Sequence, residues 1–152
     1  MNRPNETNNE GHIKKILIVE DDQNIAKALS IRLKSAGYEV TVAPDAMTGV
    51  AAARKLQPDL ALLDISLPAG NGFTVAEKIR ELVATATPII FLTASKQLGL
   101  RQEAYRLGAA FFEKPYDAEE LLGAIRYAFA AQPGRTYRDQ AGNRAARDPL
   151  LA

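Results

Sequence analysis

Four apolar segments of strand length end in side chains that can do chemistry. These ends are the acidic run Glu20-Asp21-Asp22 and the single residues Asp64, Thr93 and Lys114. Clustered carboxylate oxygens suit Mg²⁺, and an aspartate can attack phosphorus as a covalent nucleophile. An ammonium and a hydroxyl can bind the oxygens of a transferred phosphoryl group. If these segment ends meet, the sequence predicts Mg²⁺-assisted phosphoryl transfer with Asp64 as the nucleophile.

Each of these residues, taken alone, also fits a structural role. In PDLALLDISLPAGNG, Asp64 precedes Pro and Gly and can simply stabilise a turn. The acidic run can complement a helix dipole, Thr93 can cap a helix, and Lys114 can be a solvated side chain. The joint arrangement favours a site, because carboxylates packed together repel one another unless a cation holds them.

The segments that carry these residues alternate with helical patterns, which is typical of βαβ units on a parallel sheet. The strand segments read KKILIV, YEVTVA, DLALLD, PIIFLT and AAFFEK. Their low polar content predicts strands covered on both faces, in a doubly wound, five-stranded α/β sheet. In such sheets ligands bind at the carboxyl ends of the strands, where the reactive residues stand.

Five helices are predicted, one after each strand. Apolar residues at helical spacing mark the first, which ends at Gly37, and the third. Alanine favours the second, Ala46 to Leu56, and the fourth, around Gln97 to Leu107, has a loose pattern. The fifth follows Asp117, a good N-cap with Glu120 three residues later.

The composition is that of a globular chain without thiol chemistry. The 152 residues are 47% hydrophobic and 24% charged, and the lack of cysteine excludes disulfides and thiolate metal sites. No apolar run approaches the roughly 20 residues of a membrane span, and residues 1–12 lack the apolar stretch of a signal peptide. We expect one cytoplasmic domain at 13–131, between a flexible segment 1–12 and a flexible, mildly basic tail 132–152.

Taken together and in order, the motifs resemble the receiver domain of two-component response regulators. The matching segments are ILIVEDD, LLDISLPAGNG with Pro68 and Gly72 in its loop, FLTAS, and FFEKP with Pro115. The resemblance runs from about Lys14 to Ala131 and implies a flavodoxin-like (βα)5 receiver fold.

The resemblance implies a role for each residue of the acidic site. Asp64 would be the phosphoacceptor. Asp21 and Asp64 would ligate Mg²⁺ directly, Glu20 would do so through water, and the backbone carbonyl of Ser66 would complete the protein's share. Lys114 would pair with the Asp64 carboxylate and later with the phosphoryl group. The two glycines of the AGNG loop predict an unusually pliable segment after Pro68.

A second group of residues would report the phosphorylation. Thr93 would move toward the phosphoryl group, and the small Ala94 would leave the phosphorus approachable. Phe111 stands where the family has its aromatic switch; the family often has Tyr there, and Phe lacks the hydroxyl that a partner could contact. The expected partner face includes three residues of the fourth helix, namely Arg101, Tyr105 and Arg106.

The resemblance therefore implies a single-domain response regulator that receives its phosphoryl group from a histidine kinase or a phosphotransfer protein. Phosphorylation would switch an interaction face formed by the fourth helix, the fifth strand and the fifth helix, which a downstream protein target reads. The chain would be a phosphoacceptor with self-catalysed phosphorylation and dephosphorylation rather than an enzyme. The alternative is a phosphorelay intermediate that passes the phosphoryl group on.

Other classes of protein fit less well. A phosphohydrolase with an aspartyl nucleophile needs a second acid beside it, and Asp64 is followed by Ile65 and Ser66. No phosphate-binding glycine motif of a nucleotide-binding protein follows any strand. The tail carries four arginines but no apolar periodicity, so it does not predict a helix-turn-helix domain. We expect neither membrane insertion nor direct nucleic-acid binding.

Overall fold

A computed structural model describes residues 12–84 and 86–131 of the chain. The two segments expected to be flexible, 1–12 and 132–152, lie outside the described residues except for His12. None of the helices within the described ranges has the length and apolar character needed to cross a bilayer.

Five parallel strands form the main sheet, as the sequence predicts. In chain order the strands are β1 (Lys15–Val19), β2 (Glu39–Ala43), β3 (Leu60–Asp64), β4 (Ser66–Leu67), β5 (Gly70–Asn71), β6 (Ile89–Thr93) and β7 (Ala110–Glu113). The sheet order is β2-β1-β3-β6-β7, which is the flavodoxin-like order, and β4 and β5 form a separate antiparallel pair. The order switches between β1 and β3, so a crevice opens at their carboxyl ends.

Helices cover both faces of the sheet. They are α1 (Gln23–Ser35), α2 (Ala46–Leu56), α3 (Gly72–Leu82), α4 (Leu100–Arg106) and α5 (Ala118–Ala130). Residues of α1 and α5 share one buried cluster, and residues of α2, α3 and α4 share the other. The fourth helix is shorter than the expected Gln97 to Leu107, because Gly99 takes a left-handed conformation, with φ of 88°, and the helix begins after it.

The two central strands explain why the carboxyl edge is well positioned. All residues of β3 and β6 are buried, and alternate side chains pack into the two clusters. Leu63 and Phe91 lie on the α2–α4 side, while Leu62 and Ile90 lie on the α1–α5 side. Strands covered on both faces are held firmly, so Asp64 and Thr93 at their ends are held as well.

Side chains that accept backbone hydrogen bonds set the start of most helices. Asp117 accepts from the amides of Glu119 and Glu120 at 2.8 and 3.0 Å, which agrees with the predicted N-cap of α5. Asp45 caps α2 in the same way, and Asn71 caps α3 by accepting from the Thr74 amide at 3.0 Å. The start of α2 touches the loop after β3, because the Ala46 amide donates to the Pro68 carbonyl at 3.1 Å, and α3 begins where that loop ends.

Candidate functional site

Three carboxylates converge at the crevice between β1 and β3. The strands run side by side with Val19 opposite Leu63, so Glu20 and Asp21 follow β1 next to Asp64 at the end of β3. Oxygen atoms of Glu20, Asp21 and Asp64 lie within 4.8 Å of one another. Glu20 and Asp64 are buried, at 5% and 7% exposure, whereas Asp21 is exposed. The structure thus brings together the three acidic residues that the sequence singled out.

The third member of the acidic run, Asp22, has a different task. Its Oδ1 accepts from the amides of Asn24 and Ile25 at 2.9 and 3.1 Å, so it caps α1. The run therefore divides into two residues at the crevice and one structural cap. The structural interpretation of the acidic run is confirmed for Asp22, and the functional one stays a prediction for Glu20 and Asp21.

Lys114, which follows the edge strand β7, bridges the carboxylates of Glu20 and Asp64. Its Nζ donates to Glu20 Oε1 at 2.5 Å and to Asp64 Oδ2 at 2.9 Å. Burial of the ammonium acts to lower the pKa of Lys114, but its hydrogen bonds to the two carboxylates outweigh burial, and the net pKa is raised. The ammonium is therefore charged at neutral pH and sits directly against the Asp64 carboxylate.

Glu20 shows that the negative charge here is not fully compensated. Burial, together with the neighbouring Asp64, raises the pKa of Glu20 to about 7 although Lys114 opposes the shift. Its second oxygen, Oε2, is buried and has no hydrogen-bond partner among the described residues. A buried oxygen without a partner calls for a ligand, and oxygen ligands are those that Mg²⁺ prefers. Glu20, Asp21 and Asp64 therefore fit a divalent cation.

Two hydrogen bonds from backbone amides stabilise the loop after Asp64. The Ser66 amide donates to Asp64 Oδ1 at 3.0 Å, and the Gly72 amide donates to the Ile65 carbonyl at 2.9 Å. A Cβ on Gly72 would lie 2.3 Å from the Asp64 carbonyl oxygen, so this glycine permits close backbone approach. In the structure, Gly72 allows the start of α3 to pack against the site, and the pliability expected of the loop stays a prediction. The metal role of the Ser66 carbonyl stays a prediction.

Thr93 and Ala94 lie beside the crevice at the end of β6. Thr93 is fully buried, and its Oγ1 accepts from the Ser95 amide at 3.1 Å. Ala94 is exposed next to it. The Thr93 hydroxyl thus organises the start of the following loop, which is a structural role, and it also lies at the edge where Asp64 ends its strand.

Phe111 lies farther out, on the edge strand β7. It is opposite Phe91 in the sheet register and half-buried against the core on the α2–α4 side. The guanidinium of Arg101 lies over its ring, 4.8 Å from the centroid. The ring is therefore held between the protein core and a cation.

The three residues expected on a partner face are exposed on α4. Arg101 pairs with Glu113 at 3.9 Å, and Arg106 pairs with Glu103 of its own helix at 3.1 Å. Tyr105 is exposed, with 36% of its surface accessible to solvent. Sequence reasoning missed Glu113, although its place two residues after Phe111 put both side chains on one face of the strand.

An open cleft of about 500 Å³ lies beside the carboxylates. Its lining comes from the loops after β1, β3 and β6 and from the starts of α3 and α4, and includes Asp21, Ser66, Pro68, Asn71, Phe73 and Gln97. Asn71 and Gln97 were not predicted as site residues; their positions in the loops that follow two reactive strand ends are the signal that could have found them. The cleft gives the exposed Asp21 side of the site access to solvent.

Known proteins resemble this chain in sequence. The family model described as the response regulator receiver domain matches residues 16–126. The chain is 42% identical over 114 residues to the DNA-binding dual master transcriptional regulator RpaA of Synechocystis, covering 74% of this chain and 47% of RpaA. It is 37% identical over 125 residues to the response regulator ArlR of Staphylococcus epidermidis, covering 82% of this chain and 56% of ArlR. The chain spans about half the length of the curated relatives it matches.

Solved structures agree with this result. A CheY-like receiver domain protein from Methanospirillum hungatei superposes with a TM-score of 0.72 at 33% identity, over 76% of this chain and 93% of that one. The BeF3-activated receiver domain of Klebsiella pneumoniae RstA gives 0.71 at 27% identity, over 78% and 100%. The family-model match over residues 16–126 and the similarity to these relatives and solved structures establish that the chain belongs to the response regulator receiver domain family.

Proposed function

We propose that this chain is a phosphorylation switch in which Asp64 accepts a phosphoryl group from a histidine kinase or a phosphotransfer protein. The observation that carries the proposal is the charged Lys114 bridging Glu20 and Asp64, with the exposed Asp21 carboxylate within 4.8 Å of both. A nucleophilic carboxylate, a cation for phosphoryl oxygens and oxygen ligands for Mg²⁺ then share one crevice.

The residues of the site divide the work of the transfer. An Asp64 oxygen attacks the phosphorus of a phosphohistidine, the P–N bond breaks, and the imidazole leaves. The Ser66 amide and Lys114 hold the carboxylate in place before the attack, and Lys114 then binds an oxygen of the transferred group.

A metal-binding role is part of the same proposal. Glu20, Asp21 and Asp64 would hold Mg²⁺, together with the Ser66 backbone carbonyl. Bound Mg²⁺ would neutralise the crowded negative charge of the carboxylates and of the incoming phosphoryl group. The buried Glu20 Oε2, which has no hydrogen-bond partner among the described residues, supports this assignment.

The chain acts as an acceptor rather than as an enzyme in this proposal. The phosphoryl group stays on Asp64 until the domain itself promotes hydrolysis of the aspartyl phosphate. As the output, Thr93 moves toward the new charge, Phe111 fills the space that this opens, and the face formed by α4, β7 and α5 changes for a downstream protein. A phosphorelay intermediate would use the same site, and transfer of the label to a phosphotransfer protein would identify it.

We propose that a protein rather than a nucleic acid reads this face. The two helices and the strand that form it carry three arginines and four glutamates, namely Arg101, Arg106, Arg126, Glu103, Glu113, Glu119 and Glu120. Elements without an excess of positive charge attract a polyanion only weakly. RpaA is named as DNA-binding, but this chain matches 47% of its length.

Labelling with acetyl phosphate in the presence of Mg²⁺ tests the acceptor. Asp64→Asn should abolish labelling, because the amide cannot form the acyl phosphate, and should leave the fold intact. Asp22→Asn is the matched control: it removes a neighbouring carboxylate but keeps a good N-cap, so labelling should persist. Labelling of the Asp64→Asn protein at the parental level would show that the nucleophile is another residue.

A further inference from the structure

Three charged side chains, Lys96, Arg101 and Glu113, line a small pocket together with Phe111. The Arg101 guanidinium lies 4.8 Å from the ring centroid, and its Nη2 is 3.9 Å from Glu113 Oε1. Glu113 Oε2 also accepts from Lys96 Nζ at 3.1 Å. Phe111 and Glu113 are two residues apart on β7, so their side chains project from the same face. One carboxylate therefore anchors the cation that covers the ring.

This cluster connects the ring to the end of β6. Lys96 lies three residues after Thr93, in the loop whose first turn is formed by the hydrogen bond from the Ser95 amide to Thr93 Oγ1. A displacement of Thr93 therefore moves the loop that carries Lys96. Glu113 touches both Lys96 and Arg101, so the same displacement alters the partner that positions Arg101.

We propose that Arg101 is a positioning residue that holds Phe111 in its unphosphorylated place, with Glu113 and Lys96 linking that hold to the Thr93 loop. This rests on the proposed function, because it assumes that Phe111 moves when Asp64 is phosphorylated. Ring movement toward the core breaks the contact with the guanidinium, so Arg101 stabilises the resting state and opposes the switch.

The chemistry of arginine suits this task. A planar guanidinium can lie over an aromatic ring and pair with a carboxylate at the same time, whereas the lysine ammonium is a compact, strongly hydrated charge. Both cations are largely exposed and the carboxylate is half-exposed, so the interaction is modest and sensitive to salt. A modest hold suits a switch, because a strong one would prevent the active state from forming.

The test is a titration of the Mg²⁺-loaded protein with beryllofluoride. Arg101→Ala should raise the apparent affinity about 2- to 5-fold, the size of an exposed cation–π contact. Arg101→Lys should behave more like Arg101→Ala than like the parent. Arg106→Ala is the matched control, since it removes the same charge from the same helix but its partner is Glu103, and it should leave the affinity unchanged.

A second substitution shows whether Arg101 acts through the ring. In a Phe111→Leu background, Arg101→Ala should have no further effect on beryllofluoride affinity, because the cation has no aromatic face to hold. Equal affinities for the Arg101→Ala and Arg106→Ala proteins would overturn the proposal. So would a gain from Arg101→Ala that persists without Phe111, because it would show a general electrostatic effect.

Hydrogen exchange without beryllofluoride separates this proposal from the proposed function. Arg101→Ala should speed exchange at residues 110–113 more than Arg106→Ala does. If the parent shows no beryllofluoride response, the proposed function fails. Hydrogen exchange then tests the role of Arg101 alone. Faster exchange at residues 110–113 in Arg101→Ala than in Arg106→Ala supports its contact with the ring, and equal rates in the two variants refute it. If the parent responds and Asp64→Asn does not, the function stands whatever Arg101 does.

Discussion

The two loops that flank the crevice are built in opposite ways. The acceptor loop, residues 65–71 between β3 and α3, buries Ile65 and Leu67 at 5% and 9% exposure. The β4–β5 pair closes it internally, and the Ala46 amide at the start of α2 donates a hydrogen bond to its Pro68 carbonyl at 3.1 Å. It therefore touches both α2 and α3.

The switch loop, residues 94–99 between β6 and α4, has little of this support. Leu98 is 95% exposed, and two of its hydrogen bonds are local: the Ser95 amide to Thr93 Oγ1 and the Gln97 amide to Ser95 Oγ. It leads into a helix of only 7 residues after Gly99, which has no side chain to serve as a cap.

The difference matches the two tasks proposed for the loops. An acceptor works best when its oxygens are held in one geometry, so burial and long-range hydrogen bonds are useful there. A reporter has to rearrange at small cost, and segments with few buried contacts open most easily. The same edge of the sheet thus carries a well-packed acceptor loop and a loosely packed switch loop.

Adding a methyl group at a glycine beside each loop should give the largest difference in stability. Gly72→Ala should destabilise the fold by about 3 kcal/mol, because its Cβ would lie 2.3 Å from the backbone oxygen of Asp64. Gly99→Ala should cost only about 1 kcal/mol, the strain of its positive φ, since its Cβ would have just one neighbour, at 4.0 Å. Urea denaturation measures both, and equal losses would contradict the contrast between the loops.

Leucine truncation tests the packing of the two loops directly. Leu67→Ala should cost about 2 kcal/mol, because a buried side chain is removed from the acceptor loop. Leu98→Ala should change stability by less than about 0.5 kcal/mol, because that side chain is almost fully exposed. Thermal denaturation of the two variants in parallel provides the comparison, and a large loss for Leu98→Ala would mean that the switch loop is packed after all.

Charge on the acceptor side should appear in the pH dependence of stability without Mg²⁺. The pKa of Glu20 is raised in the folded protein from 4.5 to about 7. Between these pH values the folded state binds more protons than the unfolded state, so the free energy of unfolding should fall as pH rises. Glu20→Gln should flatten this fall in metal-free thermal melts, and Mg²⁺ should reduce it.

The matched control for this titration lies on the switch side. Glu113→Gln removes a half-exposed carboxylate that directly precedes Lys114 in the chain, and the fall in stability with pH should remain. If Glu113→Gln removes the fall in stability with pH and Glu20→Gln does not, the carboxyl group responsible for the fall lies on the switch side instead.

The smallest expected effect concerns the cap that closes the acceptor loop. Asn71→Ala should cost about 1 kcal/mol, because the Thr74 amide loses its acceptor, whereas Asn71→Asp should keep the cap and most of the stability. Hydrogen exchange should rise at residues 71–75 in the alanine variant and stay at the parental level in residues 94–99. Equal loosening of both loops would show that they do not behave as separate units.

The local features of this protein could be predicted from the order of its residues. Apolar runs with polar ends set the five main strands, since a strand covered on both faces must be apolar along its length. Asp117 and Glu120 marked the start of α5 because a cap acts within one turn. Because ligands bind at the carboxyl ends of parallel strands, the order of residues alone was enough to select Glu20, Asp21, Asp64, Thr93 and Lys114.

Which of these strand ends meet, and which residues contact them, depends on contacts between residues distant in the chain. Lys114 reaches Asp64 across 50 residues of sequence and Glu20 across 94, and no local pattern encodes such a contact. The division of the acidic run, with Asp22 as a cap and Asp21 at the crevice, depends on where α1 begins relative to the sheet. The place of Arg101 over Phe111 likewise depends on how α4 packs against the edge strand. These features follow from strand order and packing, which join residues distant in the chain.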